Sequence, residues 1–283
     1  MPVYPIGFSI PESKIISEIH PKTKRISDLI PGVLSTYIYQ TESDYYNEYK
    51  TSVFAKTTKK AGWDCMRHYE ILSQGCIPYF PDLENCPQNT MTFFPKDLVL
   101  KANKFYESGL DPGNLAFELL EYTKANLTTK KMAQYILDKS GNSEAKKILF
   151  LSGNIGPDYL RCLTLQGFKD LIGSECHDYP KIPHIYKDDG PYTKYYGKGI
   201  TYTGNIPQEL HDKTKNASIT TDITNQKYDL IIYGSYHRGL PGFDLVNKYY
   251  SPNKIVLLCG EDLHSCDYEQ FSSKGYHVFV REL

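Results

Sequence analysis

The chain has 283 residues, 40% of them apolar, and 32 Lys and Arg stand against 33 Asp and Glu for a net charge of -1. That balance excludes a broad basic face for nucleic acid and an acidic solvating tail, and it points to a small partner bound locally. The length allows one large or two modest domains, and the chain reads as two, residues 1–141 and 142–283. Seven cysteines, without a Cys-x-x-Cys pair, argue against a disulfide framework or a zinc knuckle and predict reduced, mostly buried thiols. No apolar run approaches the ~20 residues of a membrane span and no signal-peptide core follows the start, so a soluble, cytoplasmic protein without a membrane partner is expected. The 25 tyrosines suit stacking on sugars or a nucleobase, or reflect a compositional bias shared with Lys, Asn and Ile.

Residues 1–11, with Pro2, Pro5 and Pro11, read as an extended linker. Two short helices are expected next, over 12–19 and up to Leu29, then a strand over 35–39, a helix over 42–50 and a strand over 51–55. Gly62-Trp63-Asp64 follows, with Gly62 permitting close backbone approach and Asp64 as the expected N-cap of a helix beginning near Cys65. Arg67 and Glu70, three residues apart, share one face of that helix near its positive end. Such a place suits a phosphate, with Arg67 on a diphosphate oxygen and Glu70 on a ribose diol. The plainer reading is a surface ion pair. Lys59 and Lys60 on the preceding loop either face the phosphates or are simply solvated. Gly75-Cys76-Ile77-Pro78 then reads as a turn into a short buried strand, with Asp82 beyond it.

The order Tyr45 to Tyr49, Ser52-Val53-Phe54, Lys59-Lys60, Gly62-Trp63-Asp64, Arg67-x-x-Glu70, Gly75-Cys76-Ile77-Pro78 and Asp82 resembles the nucleotide-sugar segment of exostosin-like glycosyltransferases over roughly fifty residues. The chain looks like the soluble members found in microbes and in large DNA viruses of algae. The resemblance implies an α/β protein of GT-B type, two Rossmann-like lobes with a cleft between them, that transfers a sugar from a UDP donor with inversion. It also implies Lys59, Lys60, Gly62, Trp63, Arg67 and Glu70 as the donor-binding residues. Where the family usually has Ser and Glu-Ala, this chain has Cys65 and Glu70-Ile71. In GT-B enzymes the acceptor lobe normally comes first, so the motif's place in the first half implies lobes in permuted order.

Beyond the motif, helices are expected from Pro95 to Tyr106 and from Leu115 to Leu137, with a polar hinge over 139–147. Residues 147–152 form an apolar strand, and Gly153-Asn154-Ile155-Gly156-Pro157-Asp158 leads into a helix over 159–172, the first β-α unit of a Rossmann-like domain. The loop lacks the third glycine of a dinucleotide fingerprint, so no NAD or other cofactor is assigned. Residues 179–202 read as a long loop, and strands are expected over 229–233, 254–258 and 277–280. Two of those strands end in His237 and in Glu261, Asp262 and His264, and with Asp158 these are the candidate catalytic bases. Each also has a plain role as a cap or a loop residue.

The expected activity is therefore metal-independent transfer from a UDP-sugar, UDP-xylose being the best guess, to a hydroxyl of an oligosaccharide or glycoprotein. Asp82-Leu83-Glu84 has the form of a metal-binding acidic motif but is too short to carry weight. A non-catalytic binding protein of the same fold, or a glycoside hydrolase using Glu261 and Asp262, are the alternatives.

Overall fold

A computed structural model of the chain describes residues 3–189, 201–262 and 266–283. The chain opens with β1 (Val3–Pro5), then β2 (Lys24–Ile26), α1 (Glu42–Lys50), β3 (Ser52–Lys56), α2 (Met66–Ser73) and β4 (Ile77–Tyr79). Strands β2, β3 and β4 make a three-stranded parallel sheet with β3 in the middle. Thr41 caps α1 by accepting from the Asp44 amide, and the helix buries Tyr45, Tyr46 and Tyr49. Gly75, at φ 60°, turns the chain from α2 into β4, and a Cβ there would lie 2.5 Å from Ile19 Cδ1.

α3 (Lys96–Ser108) is followed by α4 (Leu115–Asn126) and α5 (Thr129–Lys139). The continuous helical pattern expected over 115–137 is divided at Leu127 and Thr128, because Thr128 accepts from the Lys131 amide and starts a new helix. The larger sheet follows with β5 (Ile148–Leu151), α6 (Tyr159–Ile172), β6 (Cys176–Tyr179), α7 (Ile219–Thr224), β7 (Leu230–Tyr233), α8 (Phe243–Tyr249), β8 (Ile255–Cys259), α9 (Glu269–Ser272) and β9 (His277–Val280). Six parallel strands run in the order β1-β9-β8-β7-β5-β6. Successive residues serve opposite faces: Ile148, Phe150, Leu230, Ile232, Val256 and Leu258 join one buried cluster, while Leu149, Leu151, Ile231, Tyr233, Leu257 and Val278 join another. Apolar side chains on both faces are what a parallel sheet covered on two sides requires.

The expected linker over 1–11 is corrected in its described part. Val3–Pro5 is a strand pairing in parallel with β9, and beyond it the Ile6 amide reaches Val280 O and the Ile10 amide Leu127 O. The first strand therefore belongs to the sheet built mainly by the second half. α5 and α6 also meet across residue 141 at backbone distance, since a Cβ on Gly167 would sit 2.1 Å from Thr129 O.

The expected helices before Leu29 are replaced by a short 3-10 turn, Glu12–Lys14, and by β2, whose Lys24 and Ile26 register against Ser52 and Phe54. The strand expected over 35–39 is instead a 3-10 turn, Leu34–Thr36. Thr36 Oγ1 donates to Val33 O at 2.8 Å and accepts from the Ile30 amide at 3.1 Å, a local closure that competes with sheet pairing. Cys259 and Cys266 form a disulfide with Cα atoms 6.5 Å apart, against the expectation of reduced thiols; the other five cysteines are free. Among the described residues no helix is long and apolar enough to cross a membrane.

Candidate functional site

Parallel strands gather loops at their carboxyl ends, and Gly62-Trp63-Asp64 follows β3 while His237 and Glu261 follow β7 and β8. At the smaller sheet, the chain leaves β3, loops through Gly62-Trp63-Asp64 and enters α2. The N-cap position is Cys65, with no side-chain cap. Asp64, expected as the cap, turns inward: its Oδ2 accepts from the Phe8 amide at 2.7 Å and its Oδ1 from the Tyr69 hydroxyl at 2.7 Å. Burial pushes the Asp64 carboxyl up to about 6, although Arg281 nearby works against the shift.

Glu282, just past the end of β9, inserts its carboxylate into this loop. It accepts from the Trp63 amide at 3.1 Å and the Asp64 amide at 3.0 Å. Gly62 makes the approach possible, since a Cβ there would stand 2.4 Å from Glu282 Oε1 and 3.2 Å from Asp262 O. These two amides of the Gly62-Trp63-Asp64 loop are thus occupied by a carboxylate of the chain itself. Arg281 completes the junction: fully buried and stacked over Phe8 at 4.5 Å, it donates to the Asp64, Gly260 and Glu261 carbonyls and pairs with Glu282 and Asp262. Nothing local in the sequence marks Arg281 and Glu282, because the loop they grip, at Trp63 and Asp64, lies more than two hundred residues earlier.

In the first turn of α2, Arg67 is half-buried, and among the described residues it makes no hydrogen bond or ion pair. Desolvation opposes its charge, yet the hydroxyls of Tyr37, Tyr49 and Tyr45 outweigh that and raise its pKa. Glu70 is buried beside it. Its Oε2 accepts from the Tyr45 hydroxyl at 2.7 Å and its Oε1 from the Thr201 hydroxyl at 2.6 Å. Burial raises the Glu70 pKa against the lowering effects of Thr201, Tyr45 and the Arg67 charge. Arg67 and Glu70 are therefore not the exposed ion pair of the plainer reading. Trp63 is half-buried, with the Lys59 ammonium 4.9 Å from its ring centre, and Lys60 is exposed, its amide closing a turn to Gly62 O. A nearby hollow lined by Ile38, Tyr39, Gln40, Asp44, Asn47 and Glu48 has no cation in its lining and does not suit a diphosphate.

At the larger sheet, Asp158 caps α6 by accepting from the Arg161 amide at 3.0 Å, which is its expected plain role. Its other oxygen accepts from Ser235 Oγ at 2.6 Å and lies 3.0 Å from Arg238 Nε. His237 brings its Nε2 3.1 Å from Glu261 Oε1 and 3.9 Å from Asp158 Oδ2, while its buried Nδ1 has no partner among the described residues. Desolvation lowers the His237 pKa despite both carboxylates, so the imidazole is neutral and able to accept a proton at neutral pH. Asp158, His237 and Glu261 thus come together; Asp262, adjacent in sequence, turns instead to Arg281, and His264 lies outside the described residues. Among the described residues no group of three or more His, Cys, Asp or Glu side chains is placed to hold a metal ion. The two sets of residues are tied through Arg281, which bonds both Glu261 O and Asp64 O.

The chain matches no protein-family model, no curated protein and no solved structure.

Proposed function

We propose that this protein is an inverting glycosyltransferase of GT-B type, with its lobes in permuted order, that takes its sugar from a UDP donor. The observation that carries the reading is Arg67, a charged guanidinium without a protein partner among the described residues, ringed by tyrosines at the uncapped start of α2 and next to Glu70. A diphosphate fits a planar, free cation at the positive end of a helix, and a ribose diol fits a buried carboxylate one turn further on. In the reaction, the acceptor oxygen bonds to the anomeric carbon as the bond to the β-phosphate oxygen breaks and its electron pair leaves with UDP. The acceptor proton passes to a base, and His237 is the best placed of the candidates, oriented by Glu261 and Asp158. Arg67 and the first amides of α2 stabilise the charge on the leaving diphosphate without a resident metal, Lys59 and Lys60 lying on the approach. UDP-xylose remains the best guess for the donor and a glycan hydroxyl for the acceptor.

Calorimetry with UDP tests the reading. UDP binds the wild type, and Arg67→Ala weakens it about thirty-fold or more, as loss of a charge-assisted contact requires. Unchanged affinity in that variant would move the site elsewhere. His237→Ala lowers kcat by about a hundredfold or more with UDP affinity unchanged. Turnover abolished by EDTA and restored by manganese would replace the metal-free scheme. UDP binding with no transfer from any UDP-sugar would instead favour a binding protein of this fold. The hydrolase alternative loses ground because Asp262 is committed to Arg281, leaving Glu261 without an opposing carboxylate from that pair.

A further inference from the structure

Thr201 is fully buried and sits at φ 79°, a left-handed backbone that a β-branched side chain adopts only where its surroundings hold it there. Those surroundings are specific. Its hydroxyl donates to Glu70 Oε1 at 2.6 Å and meets the Tyr46 hydroxyl at 2.6 Å, and its carbonyl accepts from Asn205 Nδ2 at 2.6 Å. A hydroxyl has one proton, so with that proton on Glu70 the Tyr46 hydroxyl is the donor to Thr201. The result is a relay from Tyr46 through Thr201 to one oxygen of Glu70, with Tyr45 on the other oxygen and Tyr49 3.2 Å behind Tyr45. Tyr45, Tyr46 and Tyr49 all come from α1, whereas Thr201 arrives from the far half of the sequence, 131 residues beyond Glu70.

Two hydroxyl donors fix both oxygens of the carboxylate and leave each a further lone pair. A carboxylate so fixed keeps one acceptor site on each oxygen, which suits a pair of adjacent hydroxyls. We infer that Thr201 is a positioning residue for Glu70, and that through it this carboxylate selects a ribose over a deoxyribose. The inference rests on the nucleotide-binding reading above and names what that site discriminates. Sites built to bond a substrate hydroxyl reject the analogue lacking it, because the buried acceptor is left unmatched.

The test measures binding of UDP and of 2′-deoxyuridine diphosphate by calorimetry, on the whole chain. The wild type binds UDP at least about tenfold more tightly than the deoxy analogue. Thr201→Val, of the same shape without the hydroxyl, weakens UDP about tenfold while the deoxy analogue changes by less than about twofold, so the preference collapses. Thr201→Ser restores it. Tyr46→Phe removes the relay from its other end and reduces the preference by about threefold, which keeps the test intact should the valine variant fail a thermal-unfolding check. If the wild type binds UDP but both variants keep its full preference for the ribose, the role of Thr201 is overturned and the nucleotide site stands. If the wild type does not bind UDP, both fall together.

Discussion

Two arginines set the junction and the candidate donor site apart. Arg281 is fully buried and its guanidinium is saturated, with Asp64, Gly260 and Glu261 carbonyls and the Asp262 and Glu282 carboxylates around it. Arg67, on the same loop-helix unit as Asp64, is half-buried and has no bonded partner among the described residues. The first cation is fully used in holding β9 and the end of β8 against the loop before α2. The second has donors to spare in a half-buried site, which favours binding an anion from solvent. The same residue type thus serves architecture in one place and, in our proposal, recognition in the other, and what separates them is whether the chain supplies the counter-charge.

The contrast predicts stabilities as well as affinities. The largest effect is expected for Arg281→Ala, which strands Asp64 and Glu282 as uncompensated buried carboxylates and costs about 3–5 kcal/mol in denaturant unfolding. A loss below 1 kcal/mol would show that the junction does not depend on this residue. A smaller effect follows from Asp64, whose folded pKa of about 6 stands above its ordinary value of 3.8. Between those values the folded state holds a proton that the unfolded state has lost, so this carboxyl costs stability above pH 6 and the cost is relieved as pH falls toward 4. Buried His68 acts oppositely: held down to about 3 by desolvation, it contributes stability that is lost as pH falls below the ordinary imidazole range. Asp64→Asn removes the relief alone, so between pH 7 and pH 5 the variant loses about 1 kcal/mol more stability than the wild type. An equal loss in both would mean that Asp64 is ionised throughout. The smallest effect belongs to Arg67→Ala, within about 0.5–1 kcal/mol of wild-type stability, since no bond to a described residue is lost. A large destabilisation there would make Arg67 structural and erase the contrast.

Much of this was legible in the sequence where information is local. The helix Glu42–Lys50 carries its own cap and acidic first turn, and the helix Tyr159–Ile172 follows a glycine-bearing loop, so both are predicted with their observed bounds. The apolar strands of the larger sheet are equally plain. β6 was not legible because His177 and Asp178 are polar and carry no strand pattern; their burial depends on Lys169, Tyr186 and His211, which bond Asp178 or stack on His177 from other segments. β2 was missed for a similar reason, since Lys24 finds Glu48 only after α1 has formed. Of the candidate site, spacing and chain punctuation single out Arg67, Glu70 and Gly62. Thr201, Arg281 and Glu282 are not singled out, because what each does is defined by a partner far away in sequence, and nothing in their immediate neighbours marks it.

The strand Val3–Pro5 has a consequence for how the molecule comes apart. The chain starts in the larger sheet, leaves to build the smaller one and returns through β5, so the two sheets are joined by two covalent passages rather than one. A single protease nick at the turn after α5 would sever only one of them. The fragments would stay together until denatured, and a piece cut to begin at residue 142 would expose β9 as a bare, unpaired margin open to self-association.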